Sequence, residues 1–210
     1  MKNNNEQENY YKVKLENPKN NSAQVVGWKN NLAQRVRFEQ ISKIIEKDKN
    51  FTINDLGCGI GDFANYLETT GYKLNSYYGY DVYGKMIEIA KKKYSNKNLY
   101  FNKIADSDEM KIADYTVASG IFNLKHSKSE PEWLTYILNE IEKMNHKSRK
   151  GFSFNMLTKY SDSEHMRSEL YYADPCFIFD FCKRNLSKNV ALFHDYYEYD
   201  FTILVKKDIH

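Results

Sequence analysis

Three glycines spaced two apart, Gly57, Gly59 and Gly61, separate a run of strand formers beginning Phe51, Thr52 and Ile53 from a segment that starts at Asp62. In that segment Phe63, Ala64 and Leu67 fall on one helical face, so the stretch predicts a strand, a tight turn and a helix. Glycine leaves no Cβ between backbone and ligand and tolerates a left-handed backbone, which makes this the front half of a dinucleotide-type unit. Two common phosphate-binding signatures are absent. Counted from Gly57, the last glycine of a Gly-x-Gly-x-x-Gly fingerprint falls at Asp62. No Lys follows Gly61, as a P-loop requires. Taken alone, the glycines also suit a bare strand-to-helix turn.

The second constraint is an acid. Residues 74–82 predict a strand ending at Asp81, with a helix over 85–94, and Asp81 lies about 20 residues beyond the glycine turn, where a ribose diol is held. A carboxylate accepts from both hydroxyls at once. The competing role for Asp81 is a cap on the next helix.

Together these residues resemble the first motif and the following acid of class I S-adenosylmethionine-dependent methyltransferases. The motif, (Asp/Glu)-x-Gly-x-Gly-x-Gly, is matched at Asp55, Gly57, Gly59 and Gly61. The order of motifs from about Trp28 onward is similar to small bacterial enzymes of surface-polysaccharide pathways, through Gly79 to Asp81, Ala118 to Asn123, Phe154 with Asn155, and His194 to Tyr196. The resemblance implies a Rossmann-like, seven-stranded, mostly parallel sheet with an antiparallel C-terminal hairpin and helices on both faces. It implies S-adenosyl-L-methionine as cofactor, S-adenosyl-L-homocysteine as product, and Asp55, Gly57, Cys58, Gly59, Gly61 and Asp81 as residues holding it. Val82 and Ile104 would sandwich the adenine, Asp106 would accept from its amino group, and Ser119 and Gly120 would face the methyl. No Asn-Pro-Pro-Tyr type motif follows the fourth strand, which disfavours DNA adenine methylation.

The remaining strands are predicted at 99–104, 113–120, 150–157, 189–194 and 200–205, the last two joined as a hairpin through 195–199. A helix over 30–47 should bury Leu32, Val36, Ile41, Ile44 and Ile45, with Gln34 and Arg37 off that stripe but near the site. Trp28 suits the site and the core equally. Pro131 after Ser129 and Glu130 opens a helix burying Trp133, Ile137, Ile141 and Met144; Asp174 and Pro175 open another, burying Phe177, Ile178 and Phe181. Residues 1–22 read as a flexible N-terminal tail or lid, with Tyr10, Tyr11, Val13 and Leu15 as its apolar members; residues 23–210 form the methyltransferase domain. The polar connection 158–172 is long enough to serve as a lid.

At 210 residues and 41% hydrophobic the chain suits one domain with a full core. A net charge of +3, with the basic residues scattered, gives no reason to expect nucleic acid. Lys91, Lys92 and Lys93 read as a solvated helix end. Cys58, Cys176 and Cys182 lack metal-ligand spacing, so no metal is expected. The first residues lack the apolar run of a signal peptide and nothing reaches membrane-spanning length, so a cytoplasmic protein without membrane association is expected.

The expected reaction delivers a methyl group to an oxygen of a small-molecule or saccharide-type acceptor, a sugar hydroxyl or a phosphate-type oxygen. Aligning the reactants accounts for much of such a barrier, roughly 7–11 kcal/mol in good geometry. The acceptor would meet Trp28, Asn123, Asn155, Tyr171 and Tyr196. For a hydroxyl, His194 backed by Asp195 is the first candidate base and His165 the second; an anionic acceptor needs none. N-methylation of a small metabolite and a non-catalytic S-adenosylmethionine-binding module remain open.

Overall fold

The computed structural model describes residues 2–47, 49–95, 97–196 and 198–207. In chain order the elements are α1 (Lys2–Glu16), α2 (Ser22–Val25), α3 (Asn31–Ser42), β1 (Phe51–Leu56), α4 (Asp62–Thr69), β2 (Leu74–Asp81) and α5 (Gly84–Lys93). Then come β3 (Leu99–Lys103), β4 (Ala113–Ser119), α6 (Glu130–His146), β5 (Ser148–Leu157), α7 (Pro175–Asn185), β6 (Asn189–Phe193) and β7 (Asp200–Lys206). The seven strands form one sheet in the order β3-β2-β1-β4-β5-β7-β6. All pairings are parallel except those of β7, which runs antiparallel to β5 and β6. Of the expected hairpin turn, residue 197 lies outside the described residues.

Period-two alternation divides the core between the two faces of the sheet. On one face Ile53, Tyr115 and Val117 pack with Phe38 and Ile41 of α3, Phe63 and Leu67 of α4, and Ile87 and Ala90 of α5. On the other, Leu56, Ala118, Phe152 and Phe154 pack with Ile137 and Ile141 of α6 and with Ile178 and Cys182 of α7. The chain runs outward from β1 toward β3, then returns to lay β4 on the other side of β1. The carboxyl ends of β1 and β4 are therefore a topological switch point, where α/β sheets bind their ligands.

Local chemistry sets the helix starts. Ser129 and Glu132 form a reciprocal capping box on α6, with Pro131 in its first turn. Asp174 Oδ1 accepts from the Cys176 N–H at 2.9 Å, capping α7.

Four expectations need correction. The buried face of α3 carries Ala33, Gln34, Arg37, Phe38 and Ile41, while Leu32 is 69% exposed. Arg37 turns inward because Asp200, on β7, is there to pair with it. Residues 2–16 are helical, and Val13 is exposed. Phe177 is 47% exposed because it lies in the first turn of α7, and Cys182 takes a buried place on that helix. Lys93 is not merely solvated: its ammonium lies 2.6 Å from Asp62, at the start of α4.

Candidate active site

A cavity of about 600 Å³ opens beyond the carboxyl ends of β1, β2 and β4. Its floor is the glycine turn. Gly57 and Gly59 have φ of +78° and +53°, and a Cβ on Gly57 would collide with Cγ2 of Ile121, so the turn is both left-handed and close-packed. Asp81 closes β2 directly against this turn: Oδ2 accepts from the Gly59 N–H at 3.0 Å and Oδ1 from the Tyr83 N–H at 2.8 Å. Burial raises the Asp81 pKa, and the nearby backbone N–H groups of Tyr83, Gly59 and Val82 oppose that shift.

Asp55 is buried beneath the turn and accepts from the Tyr77 hydroxyl. Burial pushes its pKa up to about 7; the Tyr77 bond lowers it and the nearby Asp81 charge adds to the rise. Cys58 is also buried, and its thiol is pushed up by burial and by the Asp55 and Asp81 charges. A thiol so placed is an inert wall rather than a nucleophile.

The cavity joins Asp55, Gly57, Cys58, Gly59, Asp81 and Val82 to Ser119 and Gly120, and Ile104 also reaches it. Trp28 and Asn123 line its other half. A Cβ on Gly120 would stand 2.7 Å from the Trp28 ring, so the indole lies flush on this loop. Arg37 stacks on the indole, its guanidinium 4.3 Å from the Trp28 ring centroid. It pairs with the buried Asp200 and, at 3.2 Å, with Glu198. Gln34 and Arg37 both border the cavity.

Seven expected residues lie off the cavity wall. Gly61 instead caps α4, packed against Phe101 and Tyr94. Asp106 is exposed; it caps the short turn 107–109 and pairs with Lys143 at 2.7 Å. Asn155 sits behind the β4 loop, its Oδ1 accepting from the Gly120 N–H at 2.8 Å and its Nδ2 donating to Ser119 Oγ at 3.1 Å. The Tyr171 N–H donates to the Asn123 carbonyl at 2.9 Å. Tyr196 shares a hydrogen bond with Thr202 at 2.8 Å. His194 is exposed beside Tyr160 and Phe201, because β6 is the edge strand farthest from β1. His165 is exposed as well, near Tyr199.

Among the described residues, the imidazole that does reach the cavity is that of His126, just past β4. Its φ of 53° is the one positive value at a non-glycine among the described residues, a conformation that clusters at functional sites. Its ring meets Tyr10 edge-on at 6.3 Å. Neither spacing nor flanking residues single it out in the sequence; only the loop's return over the sheet does. Tyr10 and Tyr11 bring α1 to the cavity. The Tyr11 phenol is pushed up by burial, then by the Asp81 and Tyr10 charges. Glu8 reaches Lys103 at 3.9 Å from the same helix.

Among the described residues no helix is long and apolar enough to cross a membrane. No group of three or more metal-ligating side chains occurs among them.

Residues 54–147 match a family described as a methyltransferase domain. A candidate methyltransferase of Mycobacterium tuberculosis, Rv1506c, is 48% identical over 166 residues, covering 79% of this chain and 98% of its own length. Magnesium protoporphyrin IX methyltransferase from Synechocystis, solved with bound S-adenosylhomocysteine, has a similar fold: TM-score 0.62 at 14% identity, over 87% of this chain and 90% of that one. The N-methyltransferase NodS from Bradyrhizobium japonicum gives 0.61 at 13%, over 84% and 97%.

Proposed function

Since the chain belongs to the class I methyltransferases, we propose that it transfers a methyl group from S-adenosyl-L-methionine to an oxygen of a small-molecule or saccharide-type acceptor, of the kind found in surface-polysaccharide pathways. One observation carries the cofactor assignment: the Asp81 carboxylate and the glycine turn touch each other and face one cavity. The residues present fit such a molecule. Asp81 uses one lone pair on each oxygen for backbone N–H groups, which leaves acceptor capacity for two ribose hydroxyls. Val82 and Ile104 offer apolar walls for a purine, and Ser119 and Gly120 border the far end. Bound there, the cofactor supplies a methyl group activated by a sulfonium charge.

The chain's own task is positioning and shielding. Trp28 and Asn123 line the acceptor half. Asn123 Oδ1 accepts from the Leu157 N–H at 3.0 Å, which fixes its orientation. Asn155 and Tyr171 act behind that wall by holding Gly120, Ser119 and Asn123 in place. His126 takes the role of base for a hydroxyl acceptor, in place of His194, because it is the imidazole that borders the cavity. The helix α1 serves as the lid, with Tyr10 and Tyr11 excluding water.

The test has two parts. Calorimetry should show micromolar-range binding of S-adenosylhomocysteine and none of NAD; binding of NAD alone would reject the assignment. Incubation with methyl-labelled cofactor and a panel of sugars, sugar phosphates, carboxylic acids and amines should place label on oxygen. Label confined to amines would overturn the choice of oxygen.

A further inference from the structure

Charged side chains border the cavity from several elements, Lys29, Arg37 and Glu198 among them. Asp55, Asp62 and Asp81 border it at the glycine turn, whereas Lys125, Lys128 and Arg167 border it where the loop after β4 meets the loop after β5. From this basic group on the two loops we infer that the methyl acceptor carries an oxyanion, a phosphate or a carboxylate, seated on Lys125, Lys128 and Arg167. The inference rests on the reading of this cavity as the acceptor site.

The two loops form one built surface. Leu124 bridges Leu170, and the Lys125 N–H donates to the Glu169 carbonyl at 3.0 Å. Lys125 is therefore anchored by its own backbone to the loop that carries Arg167. Of the local acids, Glu132 on α6 feels the Lys128 charge, though it is turned to the Ser129 cap. Glu198 is engaged by Arg37 at 3.2 Å, and Glu169 meets Arg167 at 3.5 Å. Among the described residues no carboxylate lies within ion-pair distance of Lys125 or Lys128. Lys128 lies over the stacked rings of Trp133 and Tyr136, 5.3 and 5.0 Å from their centroids. That cation–π seat holds the ammonium in place without supplying a counter-anion. Two lysines and a guanidinium bordering one cavity suit an oxyanion, for which Arg offers a planar fork and Lys a point charge.

The experiment uses full-length protein saturated with S-adenosylhomocysteine and titrated with glucose 6-phosphate, glucuronate, inorganic phosphate and glucose. At least one of the three anions should bind measurably, weaken as salt rises, and exceed glucose by tenfold or more. The preferred anion identifies the oxyanion. Lys125→Ala, Lys128→Ala and Arg167→Ala, singly and together, should lower anion affinity, by at least tenfold for the triple variant, while S-adenosylhomocysteine affinity stays unchanged. Lys125→Arg with Lys128→Arg should retain anion binding. Equal binding of glucose and the anions, or a triple variant with undiminished anion affinity, would overturn the inference. Failure of the wild type to bind S-adenosylhomocysteine would reject the cofactor assignment instead, so the two failures are distinguishable.

Discussion

Replacing Asp81 by Asn tests the core of the cofactor site, because it changes two atoms and very little volume. In the wild type both carboxylate oxygens accept a backbone N–H, from Gly59 at 3.0 Å and from Tyr83 at 2.8 Å. Asn has one carbonyl oxygen and one NH₂, so in either orientation the NH₂ confronts one of these N–H donors. A buried donor left without a partner costs about 1–3 kcal/mol. Against that, the neutral amide removes the burial penalty that raises the Asp81 pKa. These stability effects oppose each other, and the melting temperature should move by only a few degrees. Affinity has no such offset. At least one hydroxyl of a bound ribose loses a charge-assisted hydrogen bond, roughly 1.5–3 kcal/mol, which is about 10- to 150-fold in Kd. Calorimetric titration of Asp81→Asn with S-adenosylhomocysteine, paired with a thermal melt by circular dichroism, reads both quantities. A folded variant that binds within twofold of wild type would refute the role given to Asp81.

Three further outcomes follow from the same geometry. Arg37→Ala strands the fully buried Asp200 and should cost about 3–5 kcal/mol in urea unfolding; adding Asp200→Asn should recover part of that loss, and a double variant no better than the single would contradict it. Burial lifts Asp55 from 3.8 to about 7, so the folded state holds a proton that the unfolded state has released between those values. Its contribution to stability is present below the unfolded pKa and falls as pH rises through about 7, and Asp55→Asn should flatten the stability profile between pH 4 and 8, whereas parallel profiles would speak against it. Gly57→Ala combines a left-handed backbone, about 1–2 kcal/mol, with a collision against Ile121 of about 1–3 kcal/mol; Ile121→Ala should relieve only the second part, measurable by denaturant unfolding.

Much of the architecture was legible in local chemistry. Hydrophobic alternation, the Ser129 and Asp174 caps and the glycine spacing are short-range signals, and each strand and helix they mark is present. The glycine turn and Asp81 were legible for a related reason: β1 and β2 are neighbouring parallel strands, so residues closing them must come together. Gln34 and Arg37 were expected off the buried stripe of α3 because both are polar. They are buried because β7 supplies an acid and the cavity supplies room, neither of which a helical wheel contains.

Spacing along the chain marks the strands, the glycine turn and the acid that closes the next strand, since these are short-range signals, whereas the order of the strands in the sheet is a property of the fold. Tertiary structure alone decided which imidazole reaches the cavity and where the basic side chains gather. His194 has the more suggestive setting in the sequence, yet β6 carries it to the far edge of the sheet. His126 lies in an unmarked loop that a left-handed turn and the Leu124–Leu170 bridge bring over the carboxyl ends of the strands. Contacts between residues more than forty positions apart, such as Leu124 with Leu170, depend on how whole loops close over the sheet, and no periodicity within either loop encodes that closure.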